Sequence, residues 1–217
     1  MTEFNLTICH LYPEHMDLYG DRGNVLALYQ RAHWHGLNPT LTQASRGEEI
    51  DFTGIDIMVM GGLQESEQEV VVESLGEQLA EFKLAVNRGL VVLAISGSCQ
   101  LLGERFPTGT GKSITGLGIL DLYTEYKAGR FTGNAVTSCS LWDPPRNLAG
   151  FENHTGLTFL GPSVKPLGKV ITGHGNNGLD QTEGAVYKNI IGSYLHGSLL
   201  PKNPWLTDYL LAQALAY

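Results

Sequence analysis

Apolar positions in the first half of the chain fall in short β-branched runs separated by stretches with helical spacing. "FNLTICHLY", "NPTLTQA", "DIMVMGG" and "GLVVLAIS" read as strands. Between them "GDRGNVLALYQRAHWHG", a longer segment from about Glu67 to Arg88, and "CQLLGERF" read as helices. This alternation predicts a doubly wound α/β fold, a mostly parallel sheet with helices on both faces. From Gly116 onward the texture changes to closely spaced strands and turns: "LGILDLYTEY", "NAVTSCSL", "LAGFENHTGLTFL", "GKVITGHGNNG", "EGAVYKN" and "IIGSYLHG". These are expected to add antiparallel strands to the parallel sheet. "PWLTDYLLAQALAY" predicts a closing amphipathic helix, started by Pro204 and a nearby polar cap. No repeat, low-complexity tract or linker interrupts the pattern, so residues 1–217 are expected to form one domain.

Composition narrows the function classes. A length of 217 residues with 42% apolar content suffices for one buried core. The net charge of −8, with 14 Lys and Arg and no basic run, weighs against nucleic acid, whose affinity rests on neutralised phosphates. The first residues carry no basic, apolar leader, and nowhere do 18 apolar residues follow one another. A cytoplasmic protein without a transmembrane segment is expected. Cys9, Cys99 and Cys139 are odd in number and lack CxxC spacing, which excludes a disulfide framework or a cysteine zinc site. No metal site is expected.

Candidate chemistry concentrates at "LAISGSCQ", a buried strand running into a helix. Ala94, Gly97 and Ser98 are small enough for a strained turn that projects the side chain of Ser96. Cys99, three residues into the helix, is expected to pack. The Gly97 amide would sit at the helix N-terminus, where free N–H groups stabilise an oxyanion. A plain turn without catalysis accounts for this stretch equally well. A base is offered by His196, at the end of the predicted strand 190–195 and followed by Gly197. In parallel-sheet enzymes such carboxyl ends converge on the ligand crevice. His154 and His174, in Gly- and Asn-rich loops, are weaker rivals. Gly61 and Gly62 follow another strand, where unobstructed amides can face an anion or carbonyl oxygen. "FPTGTGKSITG" is not a phosphate loop, because Phe106 stands where the first glycine is required and a helix precedes it. The sequons "NLT" and "NHT" have no use in an intracellular chain.

Taken in order, "HLYPEHMDLYGDRGNVLAL", "MGGLQESEQ", "AISGSCQLLG", "AGRFTGN", "GFENHTG", "GHGNNG" and "GSYLHGSLLPKNPWLTDYLL" resemble the glutamine amidotransferase domains of the cobyric acid synthase type. Within that family they are most similar to the GatD-type branch, the glutaminase subunits of lipid II isoglutaminyl synthases. The resemblance implies a class I, flavodoxin-like amidotransferase that hydrolyses L-glutamine to glutamate and ammonia. The ammonia would pass to a Mur-ligase-like partner in a heterodimer, which amidates D-glutamate of lipid II in peptidoglycan synthesis at the inner face of the membrane. ATP and Mg would be bound by the partner, with no cofactor in this subunit. It further implies that Ser96 occupies the position of the family's cysteine nucleophile, His196 that of the base and Arg130 that of the glutamine-binding residue. Gly61, Gly62 and Gly97 would match the oxyanion hole.

Two departures accompany it. The ordinary triad carries glutamate two residues after the histidine, where Ser198 stands here. Asp21 and Glu152 are the candidate orienting acids. The second departure is serine for cysteine at position 96. Three readings follow: an engineered, inactivated form of a cysteine enzyme; a subunit that keeps glutamine binding or a scaffolding role without hydrolysis; or a serine hydrolase of the dipeptidase kind on a related fold.

Overall fold

A computed structural model describes residues 4–108 and 111–216. Residues 1–3 of the N-terminal stretch, Gly109 and Thr110 of the rejected phosphate-loop pattern, and Tyr217 of the last helix pattern lie outside the described residues. The first half runs β1 (Asn5–Leu11), α1 (Arg22–Trp34), β2 (Asn38–Ala44), β3 (Ile57–Met60), α2 (Gln68–Gly76), α3 (Leu79–Arg88), β4 (Val91–Ile95) and α4 (Gly97–Leu102). The second half contributes β5 (Arg105–Pro107), β6 (Ser113–Thr115), β7 (Leu122–Glu125), β8 (Phe131–Cys139), β9 (Arg146–His154), β10 (Leu157–Leu160) and β11 (Gly168–Thr172). It ends with β12 (Thr182–Glu183), β13 (Ala185–Tyr187), β14 (Ile190–Ser193), β15 (Leu195–His196), α5 (Leu199–Lys202) and α6 (Pro204–Leu215).

The main sheet has the order β13-β14-β4-β3-β1-β2, parallel except for β13. Its central strands are buried on both faces, which explains their unbroken apolar runs. Alternation sorts the side chains. Met58, Met60, Val92 and Ala94 join Val71, Leu75 and Phe82 of α2 and α3 in one core. Ile57, Val59, Val91, Leu93 and Ile95 meet Leu28 of α1 and Leu206 and Leu210 of α6 in the other. The doubly wound α/β class is as predicted.

The antiparallel strands depart from the expected placement. Only β13 joins the main sheet in that sense; the remainder form a four-stranded sheet, β10-β7-β5-β6, and a five-stranded one, β12-β11-β8-β9-β15. The helix expected from Glu67 to Arg88 is two helices, broken where Gln78 reaches away to bond Ile50 N (2.8 Å) and Glu48 O (3.1 Å). The helix expected over "CQLLGERF" stops at Leu102, because the backbone of Glu104 is drawn into pairing with Leu122 and Gly116. Pro204 does open α6, whereas Asn203 before it turns its side chain to Ala149 and Leu199 O instead of capping. No helix among the described residues is long and apolar enough to cross a membrane.

One connection matters most for the site. The predicted strand 190–195 changes sheets at Tyr194: β14 lies beside β4 in the main sheet, while β15 pairs with β9 in the five-stranded sheet. Buried Glu183 fixes the crossing, its Oε1 accepting from Ser193 Oγ (2.7 Å) and Tyr194 N (3.0 Å).

Candidate active site

At Ile95 the central strand ends, and Ser96 takes φ 54° and ψ −111° immediately before α4 begins. A non-glycine residue in such a conformation carries about 1–3 kcal/mol of strain and is held there by its surroundings. Ser96 N donates to Ser193 O of the neighbouring strand (2.8 Å), and Ser96 O accepts from Cys99 N (2.9 Å) and Gln100 N (3.2 Å). The first amide of α4, that of Gly97, has no acceptor within the helix and adjoins the side chain of Ser96. Ser96 lines a cleft of about 430 Å³ together with Gly97, Gln100, Arg130 and Asn153. Cys99 is buried against Gly192, its Sγ 2.3 Å from where a β-carbon there would lie, and burial pushes the thiol up to about 12. It is neither ionised nor part of the cleft lining.

His196 is brought to the same edge. Its chain leaves β14 on one side of β4, and its Cε1 lies 3.4 Å from the β-position of Gly62, in the turn after β3 on the other side. The imidazole therefore lies against the turn after β3, at the carboxyl end of the main sheet, behind the residues that line the cleft. It is 2% exposed, and neither ring nitrogen has a hydrogen-bond partner among the described residues. Burial, with a smaller contribution from Arg130, pulls its pKa down to about 4, so the ring is neutral near pH 7. Arg130 is exposed at the mouth of the cleft, its Nη1 donating to Asn153 O (3.1 Å) and Oδ1 (2.9 Å).

Neither candidate orienting acid reaches the imidazole nitrogens. Asp21, fully buried, accepts from Gly62 N at 2.6 Å and from Asn24 Nδ2 at 3.3 Å, and burial pushes its carboxyl up to about 7. Glu152 accepts from the amides of His174 and Gly175 and bonds the His174 ring. Its geometry commits it to that turn. The oxyanion assignment narrows for the same reason: the Gly62 amide is taken by Asp21, leaving Gly97 the better placed. Gly61 serves packing, since a β-carbon there would lie 2.0 Å from Met16 O and 2.8 Å from Asp21 Cβ. Gly61→Ala is expected to cost about 1–3 kcal/mol, read as a lower urea midpoint with an unchanged slope.

Ser198 also has a structural explanation. Its Oγ donates to Gly20 O (2.7 Å), and a β-carbon on Gly23 would come within 2.3 Å of that oxygen. The "LYGDRGN" turn and the histidine loop are thus interlocked through small residues. "GHGNNG" is scaffold: Asn176 and Asn177, each 1% exposed, bond Gly184 O and Thr158 O.

Sequence reading missed several cleft residues. Gln100, one helical turn beyond Ser96, donates to Tyr194 Oη (3.1 Å) and Thr155 O (3.2 Å); its i+4 spacing from Ser96 is the signal that could have found it. Tyr19 lies against His196 with ring centroids 5.0 Å apart. His154, one of the two weaker rivals, does border the cleft, stacked on Tyr194 at 4.0 Å, and burial holds it near a pKa of about 3, whereas His174 is drawn to Glu152.

Comparison with known proteins accords with this architecture. The chain is 40% identical over 209 residues to the lipid II isoglutaminyl synthase (glutamine-hydrolyzing) subunit GatD of Staphylococcus aureus, covering 96% of this chain and 84% of that protein. It is 38% identical over 213 residues to the subunit of the same name from Streptococcus pneumoniae, covering 98% and 81%. A crystal structure of a glutamine amidotransferase superposes with a TM-score of 0.63 at 16% identity over 95% of this chain and 98% of that one, a likeness of fold. The family description of the CobB/CobQ-like glutamine amidotransferase domain matches residues 7–204. A strained turn at the end of a central strand, a histidine arriving from the neighbouring strand and a match over nearly the whole length agree: the chain belongs to the CobB/CobQ-like glutamine amidotransferase family.

Proposed function

We propose that the chain is the glutamine-handling subunit of a two-subunit ligase that amidates D-glutamate in lipid II, with position 96 the site of nucleophilic attack. The observation that carries this reading is the Ser96 turn, opening on a cleft that holds Arg130 at its mouth and is lined by Tyr19, whose ring packs on His196. The names of the two bacterial relatives support the acceptor and the existence of a partner. In this reading Arg130 takes the α-carboxylate of L-glutamine by a charge-assisted hydrogen bond. Residue 96 attacks the side-chain amide, the Gly97 amide meets the developing oxyanion, and neutral His196 takes the nucleophile's proton and delivers it to the leaving ammonia. Water then resolves the acyl-enzyme. ATP and Mg act in a Mur-ligase-like partner, where the ammonia is consumed. With serine at position 96 the chain binds glutamine and turns it over poorly.

The test uses the chain as it stands. L-glutamine binding is measured by calorimetry, and Arg130→Ala is expected to weaken it about 10-fold to 100-fold, the worth of hydrogen bonds to a charged group. Equal binding by both forms, or no binding by the unaltered chain, would overturn the assignment.

A further inference from the structure

We infer that Tyr19 is a positioning residue for His196: its ring closes over the imidazole, keeps water from both ring nitrogens and fixes the ring's orientation where no carboxylate does so. The inference rests on the reading of His196 as the base.

Three ties hold Tyr19 in place. On its N-terminal side Leu18 N donates to Gly62 O (3.2 Å). On its C-terminal side Gly20 O accepts from Ser198 Oγ (2.7 Å), and Asp21 accepts from Gly62 N (2.6 Å). The residue between these anchors has φ 62°, a left-handed conformation rare for an aromatic side chain. The strap thus spans from the turn after β3 to the loop carrying His196, with one side chain directed at the base. The two rings meet edge to face at an interplanar angle of 72°, an arrangement that aromatic pairs favour. Tyr19 itself is 46% exposed and lines the same cleft as Ser96. Its outer side meets solvent while the imidazole beneath it is sealed.

Packing alone therefore sets the angle of the His196 ring. Among the described residues the titratable and charged groups near it are Arg130, His154 from β9, Asp21 at the Gly62 turn and Lys202, which lies beside the adjoining Gly197. None of them bonds an imidazole nitrogen. A base kept dry in this way stays neutral, with its proton-accepting nitrogen unengaged by any other group among the described residues. The same strap explains why the Leu-Tyr-Gly-Asp stretch, remote in sequence from Ser96 and His196, belongs to the site.

The experiment is a histidine NMR titration of the full chain from pH 4 to 8, with His196 assigned through His196→Gln. The His196 signals are expected to stay those of the neutral ring throughout pH 5 to 8, and Tyr19→Phe is expected to behave identically. Tyr19→Ala is expected to raise the midpoint by about one pH unit or more, a tenfold gain in proton affinity once water reaches the ring. Titration of Tyr19→Ala together with the unaltered chain would overturn the inference. A second measurement needs no variant: hydrogen exchange at the imidazole carbon between the nitrogens should be much slower for His196 than for exposed His33, and equal rates would also overturn it. Both readouts are independent of ammonia production, so a failure here and a failure of the proposed function are separable.

Discussion

Replacing Ser96 with cysteine is expected to raise ammonia release from L-glutamine by about two orders of magnitude or more, measured with the partner ligase present. The argument turns on the base. His196 lies in a dry site, unsupported by a carboxylate, and burial holds its pKa down to about 4. A base of that strength receives an alcohol proton only against a steep gradient, so a serine hydroxyl gains little from it. A thiol starts from a pKa of about 8.5 and is far easier to deprotonate, and sulfur is the better nucleophile at equal geometry. The turn needs no rebuilding, since its conformation is fixed by the hydrogen bonds of Ser96 N and O and not by its side chain. A cysteine form that stays inert with its partner would sink the glutaminase reading and favour a binding role. The serine-hydrolase alternative makes the opposite demand, labelling of the unaltered Ser96 by a fluorophosphonate.

The second large effect concerns stability. Glu183 is 1% exposed, and its Oε2 has no partner among the described residues. Burial, with a lesser push from Glu152, raises its pKa from 4.5 to about 7. The folded state thus binds a proton that the unfolded chain releases near pH 4.5. The stabilisation is complete below that pH and is lost as pH rises through about 7. For a group so placed the loss between pH 5 and 8 is on the order of 3 kcal/mol. Glu183→Gln, which keeps an acceptor for Ser193 and Tyr194 but cannot ionise, is expected to remove that part of the decline. Asp21, raised in the same direction, leaves a residual slope in the variant. Urea denaturation at pH 5 and pH 8 decides the matter, and identical pH dependence in both proteins would refute the assignment.

What could be read in the sequence was what periodicity and backbone chemistry encode locally. β2 falls on the predicted "NPTLTQA", and the small residues around Ser96 mark the strained turn. β5 and β6 escaped because three residues are too few to show an alternation. The break at Gln78 depends on a side chain reaching to residues 48 and 50, and the sheet change at Tyr194 on a carboxyl eleven residues earlier. Such long-range hydrogen bonds leave no period in the chain. Asp21 is the clearest case: a carboxylate close to the histidine turns to a backbone amide, a choice that only the three-dimensional arrangement reveals.

The position of β14 between β4 and β13 has a consequence for synthesis on the ribosome. β4 is apolar at every residue and is made long before residues 190–193 that cover its edge. Through the intervening translation it carries an unpaired, aggregation-prone edge, and nothing can yet supply His196 beside residue 96. A nascent chain therefore needs shelter along that edge, and its site lacks a histidine beside residue 96, until residues 190–196 have been made.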